Sequence, residues 1–381
     1  MLSLFLCGII KQKEGINMGF IRENILKIVT IIVILIVAIL VMIFAFGGKN
    51  VTKSKSYTQM EENLKTAAKN YLNDNRKLLP KDENEQSKIN LDTLVNAKYI
   101  KELSSIDDEN IKCNGYVSVI KKNEKYKLIP YIKCGKYYET RSIADYIKDQ
   151  GVVTSGDGLY QSENKYVFKG ETPNNYISIG GRLYRIIEID EDNELRLITV
   201  KRLNYSTSWD NRYNVDQSKY DGINDYSVSR LKDTMELVYN DAEYFSEEEK
   251  SLIVPHSACI GKRYLSDNSI DGKTECANQI ENQYVTIMTA SEYMRASLDS
   301  HCNSSNTYTC SNYNYFNDIS TTYKTITGVA DNTYQVYNVS NGILNVSKAS
   351  ATFTFYPIIY IDKLSLYASG DGSKDNPYMV R

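Results

Sequence analysis

The sequence predicts an α+β ectodomain hung from a single N-terminal transmembrane helix, and three observations carry that prediction. The first is the unbroken apolar run Ile28 to Phe46, in which Thr30 is the only polar residue. At about 1.5 Å per residue it spans ~28 Å, close to the hydrocarbon thickness of a bilayer. The second is that six of the 7 cysteines follow this run. Such an even set on one side of a membrane points to disulfides and an oxidising compartment. The third is the order of periodicities after residue 160, with strand-like segments at both ends and helical ones between them, the pattern of an α+β domain.

The N-terminal elements come in order: a cytoplasmic tail over 1–27, then the transmembrane helix over 28–47 in contact with the lipid bilayer through Ile28 to Phe46. Lys11, Lys13, Arg22 and Lys27 precede the span and Lys49, Lys53 and Lys55 follow it, so the positive-inside rule leaves orientation open. The cysteines choose: the C-terminal region is extracellular, and Cys7 is a cytoplasmic thiol. Ala45-Phe46-Gly47 has the small-residue spacing of a signal-peptide cleavage site. The apolar core before it exceeds the usual ~7–15 residues, which favours an uncleaved anchor. Met18 is an alternative start to Met1. Gly19-Phe20, with Glu23 and the apolar helix behind it, resembles a type IV pilin leader. That resemblance implies cleavage between Gly19 and Phe20 and assembly into a pilin-like polymer. Asn24 stands where that family places its glutamate.

Residues 56–140 read as a membrane-proximal module. Met60, Leu64, Ala67, Ala68, Tyr71 and Leu72 recur at helical spacing between Tyr57 and Leu79, and Pro80 closes the helix. A second helix is expected over Leu91 to Leu103. The β-formers of Tyr116 to Ile120 and Tyr126 to Ile132 then flank a polar stretch and predict a hairpin. With Asn123-Glu124 as a two-residue turn, Lys122 faces Lys125, and counting outward puts Cys113 opposite Cys134 in a non-hydrogen-bonded pair. Such Cα atoms stand about 4.5 Å apart, within disulfide range. Pro130 falls opposite Val117, also non-hydrogen-bonded, where its missing N–H costs no ladder bond.

Gly151, Gly156 and Gly158 and the absence of a strong apolar period mark 141–159 as a linker. The ectodomain proper occupies 160–381. Strands are expected at Tyr166 to Phe168, Tyr176 to Ile179, Leu183 to Ile189 and Leu195 to Val200. A helix follows over Ser227 to Tyr239, and capping boxes at Ser246 to Glu249 and Thr289 to Glu292 each open another. The strand Tyr284 to Met288 sits between them, and strands return at Tyr334 to Val339, Ala351 to Ile361 and Tyr378 to Val380. Strands at both ends place the termini of this domain near each other.

Three blocks in this region, Phe245 to Lys250, Val285 to Tyr293 and Pro357 to Ile361, with the closing Gly370 to Tyr378, resemble an uncharacterised bacterial surface-domain family. Its members look like distant relatives of the C-type-lectin-like and sulfatase-modifying-factor folds. The resemblance implies a lectin-like α+β ectodomain and no established activity. Tyr313 to Asn317 and Tyr356 depart from the family pattern. Because the lectin-like fold often binds calcium, Asp267, Asn268, Asp271 and Glu275, between Cys259 and Cys276, are the candidate calcium ligands.

Little else carries chemistry. The formal net charge of -2 gives no reason to expect a nucleic-acid partner. No cysteine pair has metal-binding spacing, and His256 and His301 are the only histidines, so zinc is not expected. Both histidines read as loop residues beside cysteines rather than as catalytic bases, and the sequence offers no catalytic set. Proximity pairs Cys259 with Cys276 and Cys302 with Cys310. The 32 tyrosines suit an interface, and equally a biased coding sequence. The expectation is a non-catalytic, membrane-anchored extracellular binding or adhesion protein of a bacterial envelope, taking a protein or glycan ligand and needing no cofactor beyond calcium. A pilin-like assembly subunit is the alternative, and a degenerate sulfatase-modifying-factor-like enzyme the third reading.

Overall fold

In the computed structural model the described residues are 50–122, 124–203, 207–299, 302, 314–320 and 322–381. They form a mixed α+β structure, mostly strands, in two units that divide between Glu139 and Thr140. The predicted span Ile28 to Phe46 and the leader point at Gly19 and Phe20 lie outside the described residues. No helix among the described residues is long and apolar enough to cross a membrane.

The first unit is a helix laid on a sheet. Helix α1 (Asn50–Asp74) buries Tyr57, Leu64, Ala67, Ala68 and Leu72, one helical face. That face packs with Val117, Val119 and Ile132 of an antiparallel sheet in the order β1 (Gln86–Asn90), β2 (Asn114–Lys122), β3 (Lys125–Cys134), β4 (Tyr138–Glu139). Gly115 permits the close approach: a Cβ there would stand 2.6 Å from the Tyr131 carbonyl oxygen and 3.4 Å from Leu64. The helix begins before its pattern, at Asn50, and ends short of it at Asp74, before a 3-10 turn at Arg76–Leu78. Helix α2 (Leu91–Asn96) also stops well before Leu103. Lys98 takes a left-handed φ of 63°, and the amides of Lys98 and Tyr99 return to the carbonyls of Val95 and Leu94. That is a Schellman ending made without glycine.

The hairpin has the expected register. Lys122 pairs with Lys125 and Val117 with Pro130, and Cys113 is bonded to Cys134 with Cα atoms 4.2 Å apart.

The second unit is built on a 9-stranded sheet. Its main path runs β11 (Ile253–Val254), β18 (Ile358–Ile361), β9 (Leu195–Thr199), β8 (Arg182–Ile189), β7 (Tyr176–Ile179), β20 (Tyr378–Val380), β19 (Tyr367–Ser369). The hairpin of β5 (Gly158–Ser162) and β6 (Lys165–Lys169) joins through β8. The other strands are β10 (Thr207–Ser208) with β17 (Thr352–Phe353), β12 (His256–Cys259) with β13 (Gln279–Gln283), and the meander of β14 (Thr322–Gly328), β15 (Gln335–Ser340) and β16 (Ile343–Lys348). Helices α3 (Ile143–Gln150), α4 (Arg230–Asn240), α5 (Glu247–Leu252), α6 (Lys273–Cys276) and α7 (Ala290–Arg295) complete it. Leu366 exchanges backbone hydrogen bonds with Arg381, and the Tyr367 amide bonds to the Arg141 carbonyl, so the two ends of this unit meet.

Three expectations change. The stretch 141–159 is not a linker: Ser142 caps α3, and Ile143, Ala144 and Ile147 enter the core. The segment Tyr284 to Met288 makes only a bridge, Thr286 with Ile358, while the polar segment Gln279–Gln283 forms the strand. The run Ala351 to Ile361 is split into β17 and β18. Both capping boxes form as expected, at Ser246/Glu249 and Thr289/Glu292.

Lys324 is 1% exposed inside this unit, and its Nζ donates to the carbonyls of Lys348 (2.5 Å) and Ala349 (3.2 Å). Burial pushes its pKa down from 10.5 to about 7. The unfolded chain therefore holds this proton over a range where the folded one has lost it, and stability rises with pH between those two values. Lys324→Met should flatten that rise, which thermal melts from about pH 7 to about pH 10 would measure. An unchanged slope in the variant would exclude Lys324 as its source.

Candidate functional site

A cavity of about 460 Å³ opens in the second unit, walled mainly by charged side chains. Its floor begins at α7. The Glu292 carboxylate that closes the capping box, accepting the Thr289 amide at 2.7 Å, also accepts from Arg196 of β9, Nη2 to Oε2 at 3.2 Å, while Arg196 Nε lies beside Oε1 in the same ion pair. One turn later Arg295 donates to Glu188 of β8 at 2.7 Å, and Lys165 of β6 lies 3.0 Å from the same oxygen. Burial opposes the charge on Glu188, but Arg295, Lys165 and Arg196 outweigh it and hold its carboxyl below the usual range.

At the other wall His256 of β12 stacks on Tyr360 of β18, ring centroids 3.8 Å apart and 7° from parallel. Its Nε2 stands 3.3 Å from Asp190 Oδ2, and its Nδ1 3.3 Å from the Ser257 carbonyl oxygen. Burial works against the imidazolium, yet Asp190 and the Ser257 carbonyl raise the histidine pKa. The β8–β9 turn aims Asp190: its Oδ1 accepts the amides of Asp192 (3.0 Å) and Glu194 (2.9 Å), leaving Oδ2 turned to the ring. Asn193 takes a left-handed φ of 66° to close this turn. Glu194 follows it, its carboxyl pushed up to about 7 by burial and by the like charge of Asp190.

Among the described residues, Asp190, Glu194 and His256 are the only set of three histidine, cysteine or acidic residues whose ligand atoms lie within 4.8 Å of one another. The calcium candidates are distributed differently. Glu275 is buried against Arg263, 3.1 Å from its Nη1. Asp267 accepts from the Ser269 amide (2.8 Å) and the Thr274 hydroxyl (2.7 Å), and Asp271 from the Lys273 amide (2.9 Å). These carboxylates shape the loop. Asn268 lies in the same loop. Cys259 is bonded to Cys276 as expected, Cα atoms 4.3 Å apart. Cys302 is disulfide-bonded, while its expected partner Cys310 and His301 lie outside the described residues.

No family model, curated protein or solved structure matches the chain. The cleft residues themselves carry the functional reading. Sequence reasoning passed over Arg196, Glu188, Arg295, Lys165, Asp190 and Glu194 because they come from separate strands, a turn and a helix. The available signal was charge inside otherwise apolar strands: Arg196 between Leu195 and Leu197, and Glu188 between Ile187 and Ile189. His256 is a strand residue and not a loop residue, since β12 pairs with β13.

Proposed function

We propose that this chain is a membrane-anchored extracellular binding protein of a bacterial envelope, with a lectin-like second unit that holds a protein or glycan ligand without catalysis. The observation that carries this reading is oxidised cysteine in both units, Cys113–Cys134 and Cys259–Cys276, downstream of one apolar run. The charges of the cleft favour holding over reacting. Arg196 and Arg295 are already paired with carboxylates, and His256 faces a carboxylate and a carbonyl rather than a nucleophile. Such a lining suits hydrogen bonds to a polar ligand.

Two measurements test it. Protease shaving of intact cells should release peptides from 57–381, and intact mass with and without reduction should show six oxidised cysteines beyond the apolar run. Protected peptides or free thiols there would overturn the topology. Purified protein should also show saturable, competable capture on a glycan and protein panel, and a blank panel would remove the binding reading. A pilin-like subunit is the second reading, favoured by α1 lying along an antiparallel sheet directly after the apolar run. A mature N-terminus at Phe20 would select it.

A further inference from the structure

Asp190 and His256 on the cleft wall, with Glu194 beside them, have the donor set of a metal centre. We propose that these three side chains bind a zinc ion, with an open coordination position toward the cavity. The inference stands independently of the binding role above.

Zinc accepts imidazole nitrogen and carboxylate oxygen together, at about 2.0–2.2 Å, and prefers a tetrahedron. Two donors on such an ion stand ~3.3 Å apart by that geometry. His256 Nε2 and Asp190 Oδ2 are separated by 3.3 Å, at the long end for a hydrogen bond and on the tetrahedral edge for zinc. The third carboxylate is within reach, since the ligand atoms of all three residues fall inside 4.8 Å.

The surroundings orient the donors as metal sites require. A ligating histidine usually donates its other ring N–H to a carbonyl or carboxylate, which fixes the tautomer. Here the Nδ1 of His256 faces the Ser257 carbonyl oxygen, which presents Nε2 as the lone-pair nitrogen, and the stack on Tyr360 holds the ring plane. Asp190 is aimed in the same way by two backbone amides on its other oxygen. The carboxylates of Asp190, Glu194 and Asp362 outnumber the fixed cations that act here, Lys363 and Arg196.

Both Asp190 and His256 line the cavity, so ions and water have a path to the site. With three protein ligands the fourth position is left for water or for a ligand oxygen, as in zinc sites that are not purely structural. The expectation of no zinc came from looking for cysteine pairs and clustered histidines. One histidine joined by two carboxylates from a distant turn escapes that search.

The test is a zinc titration of the full-length chain in detergent, with Cys7 alkylated, read by competition with a chromogenic chelator. One equivalent should bind and should raise the melting temperature. His256→Gln and Glu194→Gln should each weaken binding at least about 10-fold. Should His256→Gln fail to fold, Glu194→Gln at the surface turn gives the same readout. Asp267→Asn should leave the affinity unchanged. Folded protein that binds no zinc, zinc binding unaltered by Glu194→Gln in a folded variant, or tighter binding of calcium than of zinc would each overturn the proposal.

Discussion

Glu275→Ala is expected to destabilise the second unit by about 3–5 kcal/mol. Glu275 is 0% exposed and Arg263 1%, so neither can turn to water when its partner is lost. Arg263 Nη1 meets both carboxylate oxygens of Glu275, at 3.3 Å and 3.1 Å, while its Nη2 donates to the carbonyls of Asp267 (3.1 Å) and Ser269 (2.7 Å). The carboxylate also receives the Ser291 amide at 3.1 Å and the Ser291 hydroxyl. Alanine would leave a guanidinium in the core with carbonyls and, as counter-charge, only the Asp267 carboxylate 3.5 Å from its Nη2, together with an unpartnered amide. For a unit of this size, each kcal/mol shifts the melting temperature by roughly 2–4 °C, so a fall on the order of 10 °C should appear in thermal melts. The double variant Arg263→Met with Glu275→Met should recover part of that loss, because apolar residues of similar volume carry no desolvation cost. A shift below about 2 °C for Glu275→Ala would mean that water reaches the pair.

Loss of the Cys113–Cys134 bridge should cost the first unit about 3 kcal/mol, from the entropy that a separation of 21 residues restores to the unfolded chain. The bond joins the outer ends of β2 and β3, and both cysteines lie in the core that also holds Leu64 and Leu94. Hydrogen exchange should locate the effect. In Cys113→Ser/Cys134→Ser, amides of β2 and β3 should exchange faster, while those of β8 and β9 should keep their protection. Equal acceleration in both units would show that they unfold together, and no acceleration in either would show that the sheet needs no staple.

The parts legible in the sequence were those in which a few neighbouring residues decide the outcome. The hairpin register follows from a two-residue turn and strand parity, so Cys113, Cys134 and Pro130 could be placed by counting. The capping boxes at Ser246 and Thr289 are likewise contained in four residues each. Less legible were elements whose fate depends on distant partners. The segment Ile143–Gln150 has too short an apolar pattern to declare itself, yet Ile143 and Ile147 become core residues once the second unit surrounds them. Helix α2 has a pattern reaching past Asn96, but the left-handed turn at Lys98 ends it. The polar strand Gln279–Gln283 gains its conformation from pairing with β12 rather than from its own composition.

The cleft divides along the same line. Local chemistry in the sequence settled the mixed α+β class, the hairpin with its Cys113–Cys134 pairing and the two capping boxes, because backbone periodicity, caps and turn parity act over short separations. Folding alone decided that Glu292 both caps α7 and pairs with Arg196, that Glu275 serves Arg263, and that His256 faces Asp190. Those pairs join residues 96, 12 and 66 positions apart in the chain, numbers that carry no geometric meaning until the sheet is formed. Buried charge must find its counter-charge wherever the fold supplies it, and that choice belongs to packing rather than to local sequence.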